Sequence, residues 1–292
     1  MSGLTSEAPA RRGRVRTLIE PAPYFRAFRS LVLLLTRERA LAFEMAKREL
    51  SAEHTGKALG GFWGWFQPLF LLAVYAFIYG IVFKAKIGGT YELPRNFTVY
   101  LLSGLIPWFA FQFAMGRSTS VIVGNANLVK QVVFNLDVLP IASAFAACFS
   151  LVLGLLFLGG LTVFEYGTLP LTYLALPVIL VSQFLAMAGV AFVLSAIGTF
   201  IRDVRDLVQL SAVVLIFLMP IVYLPNQIPS AFNPLLWLNP FTYMVYCYQD
   251  ALYFGRFAHP YSWVAFPLWS AFIFTAGYRL FRRVRPFFAD VL

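Results

Sequence analysis

The chain has 292 residues, of which 60% are hydrophobic and only 12% charged, with a mean hydropathy of +0.75. A soluble domain carries about 25% charged residues, so this composition excludes a water-soluble globule and indicates a protein of the membrane. The net charge of +10 does not point to nucleic acid, because the 23 Lys and Arg are scattered among loops instead of gathered on one face with stacking aromatics.

Residues 1–57 open with MSGLTSEAPARRGRVRTLIEPAP, which lacks the apolar core that follows the basic start of a secretory signal. From Arg37 the chain reads RERALAFEMAKRELSAEHTGK, with charge interspersed among Ala, Leu, Phe and Met. This predicts a cytoplasmic helix lying along the headgroups, with a solvated helix before the first span as the alternative. Uncharged runs follow at 58–83, 96–116, 138–164, 166–201, 207–249 and 257–278. About 20 apolar residues at 1.5 Å per residue cross a bilayer core, so each run holds a span. The run 207–249 is too long for one helix, and Pro225, Pro229, Pro234 and Pro240 break its second half. It predicts one span followed by an irregular hairpin that dips into the outer leaflet, since LLWL and FTYMVYCY are too apolar for a plain surface loop.

The expectation is therefore an all-α integral membrane protein of six transmembrane helices, with both termini inside. With that topology 19 of 23 Lys and Arg lie in cytoplasmic segments, the others being Lys84, Lys86, Arg95 and Arg256. Residues 1–57 form the cytoplasmic tail and interfacial helix, 58–286 the membrane domain and 287–292 a cytoplasmic tail.

In the first span, Gly56, Gly60 and Gly64 recur every four residues and mark a face open to close helix approach. At 100° per residue Trp65, Tyr75, Tyr79 and Phe83 share one arc, with Phe66, Phe70 and Phe77 roughly opposite. Tyrosine hydroxyls within a bilayer need partners, so the Trp/Tyr stripe reads either as the lining of a wet pathway or as an interfacial anchor. Between the second and third spans stands GNANLVKQVVFNLDVLP, 124–140, where Leu128, Val129, Val132, Val133 and Leu136 alternate with Asn, Lys and Gln. A short helix there would offer an apolar ridge with a polar rim, on which a partner or the chain's own membrane domain could pack.

Other chemistry is sparse. The Gly56-Lys57 pair lacks the surrounding pattern of a phosphate-cradling Walker loop. Glu165 falls at an outer turn, and Asp203 and Asp206 fall in the cytoplasmic IRDVRD loop, where they can pair with its arginines or touch a partner. His54 and His259 fall on opposite sides of the membrane, which predicts no metal site, and the positions of Cys148 and Cys247 predict no disulfide.

The order of KRELSAEHTGKALGGFWGWFQP (47–68), YLLSGLIPWFAFQFAMGRSTSVIVGNANLVKQVVFNLDVLPIAS (100–143), SAIGTFIRDVRDL (195–207) and MPIVYLPNQIPSAFNPLLWLNPFTYMV (219–245) resembles the permease subunit of type-2 ABC exporters. The likeness covers roughly 38–285 and is narrower for the branch that exports O-antigen, teichoic acid and related lipid-linked polysaccharides. Two departures stand out. Glu53 sits in SAEHTG where the family is strongly basic, and the extension before residue 37 has no counterpart.

The resemblance implies that 125–135 is a coupling helix docking a separate ATPase subunit, present in two copies. Its contact candidates are Asn125, Asn127, Leu128, Lys130, Gln131, Val132, Val133 and Asn135. ATP and Mg would bind that partner, with no cofactor on this chain. The permease would be a homodimer in the bacterial inner membrane, with lipid-linked polysaccharide as substrate. Pro225, Pro229, Asn239 and Pro240 would shape a re-entrant external hairpin. A type-2 exporter of a drug or small hydrophobic molecule is the alternative. A membrane-embedded glycan-modifying enzyme, which would want acids or His concentrated near one surface, ranks third.

Overall fold

The computed structural model describes residues 38–52, 62–82, 96–130, 134–225, 229, 231 and 233–292. The regular elements among these residues are all helical. His54, Phe83, Gln131, Val132 and Val133 and the side chain of Trp65 lie outside the described part.

Helix α1, Arg39–Ala52, places Ala42 and Ala46 one turn apart, and their small side chains let it pack closely. Ala46 meets Ala142 and Ala146. Polar contacts fix the same face: Ser143 donates to Glu49 Oε1 at 3.3 Å, and Arg117 donates to the Glu49 carbonyl at 3.2 Å. The helix expected to lie along headgroups is therefore docked on the bundle.

Among the described residues, five helices are long and apolar enough to cross a membrane. Helix α2, Phe62–Phe77, continues through a π-helical turn at Ile78–Val82. Helix α3, Phe97–Ser118, is the most enclosed. After the short α4, Ala126–Val129, comes α5, Val138–Tyr166, which ends where Gly167 adopts φ +73° and returns its N–H to the Val163 carbonyl. A 3-10 turn, Leu171–Ala175, leads into α6, Leu176–Phe200, and the last of the five in chain order is α10, Ser262–Val284, with its 3-10 extension to Phe287.

The span expected within 207–249 is shorter. Helix α7, Val204–Leu215, with a 3-10 turn Ile216–Leu218, stops after 15 residues. That is about 22 Å, against a hydrocarbon core of about 30 Å. Beyond it come α8, Asn233–Leu238, and α9, Pro240–Gln249, which continues as a π-helical segment Asp250–Phe254.

Side-chain contacts give the bundle two ends. At one, Gly198 of α6 approaches the Thr119 carbonyl, Phe200 packs on Phe288, and Arg285 reaches Asp137. Arg117, Lys130, Arg202, Arg205, Arg282 and Arg283 occupy this end as well. At the other end, the Tyr166 hydroxyl accepts from the N–H of Asn96, the N-cap of α3, at 2.8 Å, and Thr172 donates to the Ala251 carbonyl at 2.7 Å. Residues 287–292, expected as a tail, are folded: α11, Phe288–Val291, buries Phe288 against Phe281 and Phe200.

The tightest seam joins α6 to α10. A Cβ on Gly189 would overlap the backbone of Ile273 and Phe274, and one on Gly277 would overlap the Gly189 carbonyl. Only glycine allows backbones this close, so the two helices pack as one unit. Phe192 fills the adjoining space against Phe274, Tyr278 and Phe281.

Candidate functional site

At the charged end the chain leaves α3 through turns to a 3-10 segment, Val123–Asn125, and the single turn of α4. Asn125 is half-buried and donates its side-chain amide to the Val121 carbonyl at 2.8 Å, which closes the turn locally. Val123, Gly124, Asn127 and Lys130 are exposed, and Leu128 is half-buried. Val129 and Leu136 instead enter the main core. The expected apolar ridge is thus divided: two of its members hold the segment to the bundle, and the exposed surface comes from Val123, Asn127 and Lys130. Asn135 faces the N-terminal helix, donating to Glu38 Oε1 at 3.2 Å, and its Oδ1 accepts from the Asp137 N–H at 3.3 Å.

Asp137 is 4% exposed. Its carboxylate accepts from the Tyr278 hydroxyl at 3.2 Å and from Arg285 Nη1 at 3.1 Å, both on or just past α10. Burying a charge is costly unless it is paired and hydrogen-bonded, and this one is both. In the neighbouring 202–206 loop, Arg202, Asp203, Arg205 and Asp206 are exposed, and the described residues show no ion pair among them.

Along α2, Tyr75 and Tyr79 are half-buried and stack at 6.3 Å between ring centroids. They turn toward α3, where Tyr75 meets Phe109 and Tyr79 meets Phe97. Phe70 and Phe77 on the opposite side are exposed, so the tyrosine stripe is the packing face within this chain and the phenylalanine stripe faces outward. Leu72 is the only described side chain of α2 that is fully buried. Beside Tyr79 lies a groove of about 530 Å³ between α2, the start of α3 and the end of α5, with Phe77, Ile81 and Phe157 on its walls and Asn96 and Glu165 at its rim. Asn96 donates to Glu165 Oε2 there at 3.2 Å.

The segment after α7 runs beside the far half of α3. Ile221 packs on Gly104, and the Pro220 carbonyl accepts from Tyr100 at 2.8 Å and Gln249 at 2.7 Å. Pro225 is half-buried and Pro229 exposed. Asn239 joins two helix ends: its Oδ1 accepts from the Phe241 N–H at 3.1 Å, capping α9, and its amide donates to the Leu218 carbonyl at the end of α7 at 3.1 Å. Pro240 follows at the first helical position, where its fixed φ and missing N–H fit. From there α9 climbs along α3: Phe241 sits against Trp108 and Phe111, and Tyr253 against Tyr100. Because Trp108 lies near the middle of α3 and Tyr100 near its end, α9 begins halfway along the bundle. An irregular chain at that depth is tolerated because protein covers it and its polar groups are bonded.

At the top of α9 sits Asp250, which is 0% exposed. Its carboxylate accepts from the His259 N–H at 2.9 Å, from His259 Nδ1 at 2.8 Å and from Trp263 Nε1 at 3.0 Å. The His259 ring stacks on Tyr246 with centroids 4.0 Å apart. Sequence reasoning finds few acids within the apolar runs and passes over Asp250, because a charge that ends an uncharged run looks like the edge of a loop. The available signal was a His and a Trp, nine and thirteen residues later, able to donate to it.

The family model described as "ABC-2 type transporter" matches residues 41–253. Among curated proteins, the chain is 27% identical over 256 residues to an "O-antigen export system permease protein RfbA" of Klebsiella pneumoniae, covering 85% of this chain and 93% of that one. It is 28% identical over 266 residues to the protein of the same description from Myxococcus xanthus, covering 89% and 98%.

Proposed function

This chain belongs to the ABC-2 type transporter family, and on that premise we propose that it is the membrane subunit of an ATP-driven exporter of lipid-linked polysaccharide of the O-antigen kind. The observation that carries the substrate class is the near full-length similarity to permeases described as O-antigen exporters. ATP and Mg belong to a separate ATPase subunit, two copies of which serve a permease homodimer in the bacterial inner membrane.

In this reading the charged end is cytoplasmic, in keeping with the bias of Lys and Arg toward it. The segment 123–135 is the docking surface, on which Val123, Asn127 and Lys130 are exposed; Gln131, Val132 and Val133, next in sequence, join it on the family resemblance. The fifth crossing is composite: α7 covers the cytoplasmic half and α9 the outer half, with the loop and α8 between them forming the external hairpin. The outward faces of α2 and α7 meet the second copy or lipid. Leu207, Leu210, Val213, Val214 and Phe217 on α7 are all exposed, an apolar strip that one protomer leaves uncovered. Trp65, Tyr75, Tyr79 and Phe83 remain the candidate pathway residues, and the half-buried packing of Tyr75 and Tyr79 requires α2 to shift before they line it.

Deletion of the gene should abolish the surface glycan and leave its lipid-linked precursor inside the cell, and the wild-type gene should restore export. Val132→Asp or Val133→Asp should fail to restore it and should lose the ATPase on purification, because a charge is then placed against the partner's cleft. Unchanged surface glycan in the deletion strain, with altered sensitivity to hydrophobic drugs, would favour the drug exporter instead.

A further inference from the structure

We infer that α10 is the strut that carries motion from the ATPase-docking segment to the outer hairpin, and that Asp137 and Asp250 are positioning residues fastening its two ends. The inference rests on the permease reading above. Each end of α10 is tied to a buried aspartate contributed by another element. At the charged end, Asp137 directly follows the docking segment and holds Tyr278 and Arg285. At the far end, Asp250 closes the α9 helix and holds Trp263 of α10 together with His259 just before it.

Between the two fastenings α10 has little freedom to bend or slide independently. Gly277 and Gly189 seat it backbone-to-backbone on α6, and Phe266, Phe274 and Phe281 are fully buried along its length. A push on the docking segment is therefore delivered to Arg285 and Tyr278, carried along the α6–α10 pair, and applied to α9 through Asp250. Apolar packing would hold these contacts as firmly, since a buried ion pair adds little net stability over well-packed hydrophobic groups. What paired charges add is a fixed partner and a fixed geometry. Asp137 is also linked backward: its N–H donates to Asn135, and Asn135 donates to Glu38 just before α1, so three elements converge on the strut's inner end.

The test uses the full permease co-expressed with its ATPase and compares Asp137→Asn, Arg285→Gln, Asp250→Asn, Trp263→Phe and the double variant D137N/D250N. Three quantities are read: ATPase co-purified with the permease, ATP hydrolysis by the purified complex, and surface glycan in cells. The single variants should keep the partner and hydrolyse ATP within about twofold of wild type, while export falls about tenfold, the scale of a typical coupling between sites. The double variant should export no worse than the poorer single, because a strut released at one end has already stopped transmitting.

Wild-type export by Asp137→Asn and Asp250→Asn would overturn the inference, as would losses that multiply in the double variant. Loss of the assembled complex in both Asp137→Asn and Arg285→Gln would also overturn it, since the pair would then be only structural. If wild-type permease neither retains an ATPase nor supports surface glycan, the permease reading itself fails, an outcome seen before any variant is made.

Discussion

At the scale of single residues, the glycines of the α6–α10 seam and the two buried aspartates carry the most weight. Gly277→Ala would drive a methyl group into the Gly189 carbonyl. Overpacking of this kind costs about 1–3 kcal/mol, so the purified protein should melt at a lower temperature than wild type. Gly116→Ala is the matched control, because a Cβ there meets nothing within 4 Å. Equal melting of the two variants would count against the seam. Of the glycine repeat noted in the sequence, Gly56 and Gly60 lie outside the described residues and Gly64 stands on α2, whereas the seam glycines stand 88 residues apart in the chain. Residue spacing reveals close packing along one helix and says nothing of which distant glycine supplies the other wall.

At the scale of elements, long apolar runs were legible because a single uninterrupted segment satisfies its own backbone in lipid only as a helix, the alternative being a closed barrel of short alternating strands. The five crossing helices follow from that constraint. The run 207–249 was only partly legible: its prolines and Asn-Pro pairs exclude a continuous helix, yet composition does not say how deep the break lies. That depth comes from tertiary partners, Trp108 and Phe111 for the start of α9 and Tyr100 for its end. Single cysteines probed with a membrane-impermeant thiol reagent should therefore label readily at Trp237 and Leu238, which are exposed, and poorly at Met244 and Val245, which are buried. Uniform rapid labelling across the four positions would indicate a plain surface loop. The segment between α3 and α5 was legible as polar, whereas the inward turn of Val129 and Leu136 was not. Alternation marks two faces without telling which one the bundle covers.

At the scale of the whole molecule, the segregation of basic residues to one end gives a topology that reporters can check. Fusions after Gly89, Glu165 and Gly255 should read as external, and those after Asn127, Asp203 and Arg285 as cytoplasmic. A cytoplasmic signal after Glu165 would break the arrangement, because α5 and α6 would then not cross as a pair. The membrane class was accessible from composition and apolar run length, and the orientation drawn from the positive-inside bias is what these fusions test. The polar fastenings were not, because Asp137 with Arg285 and Asp250 with Trp263 are matched by folding and look, in the chain, like ordinary loop charges.

The meeting of α7 and α9 has an electrostatic consequence. A helix that ends inside a membrane exposes partial negative charge at its carboxyl end, and one that begins there exposes partial positive charge at its amino end, each about half an elementary charge. Here the two termini are brought together by one side chain, Asn239, which accepts from the Phe241 N–H in the first turn of α9 and donates to the Leu218 carbonyl at the end of the 3-10 turn that extends α7. Opposite partial charges placed end to end largely cancel, so the interruption leaves no strong field in the bilayer interior to attract ions or water. The join is made by one amide instead of a continuous backbone ladder, so it can flex without breaking a helix. In the composite crossing proposed above, the break is in this sense a hinge whose partial charges offset one another.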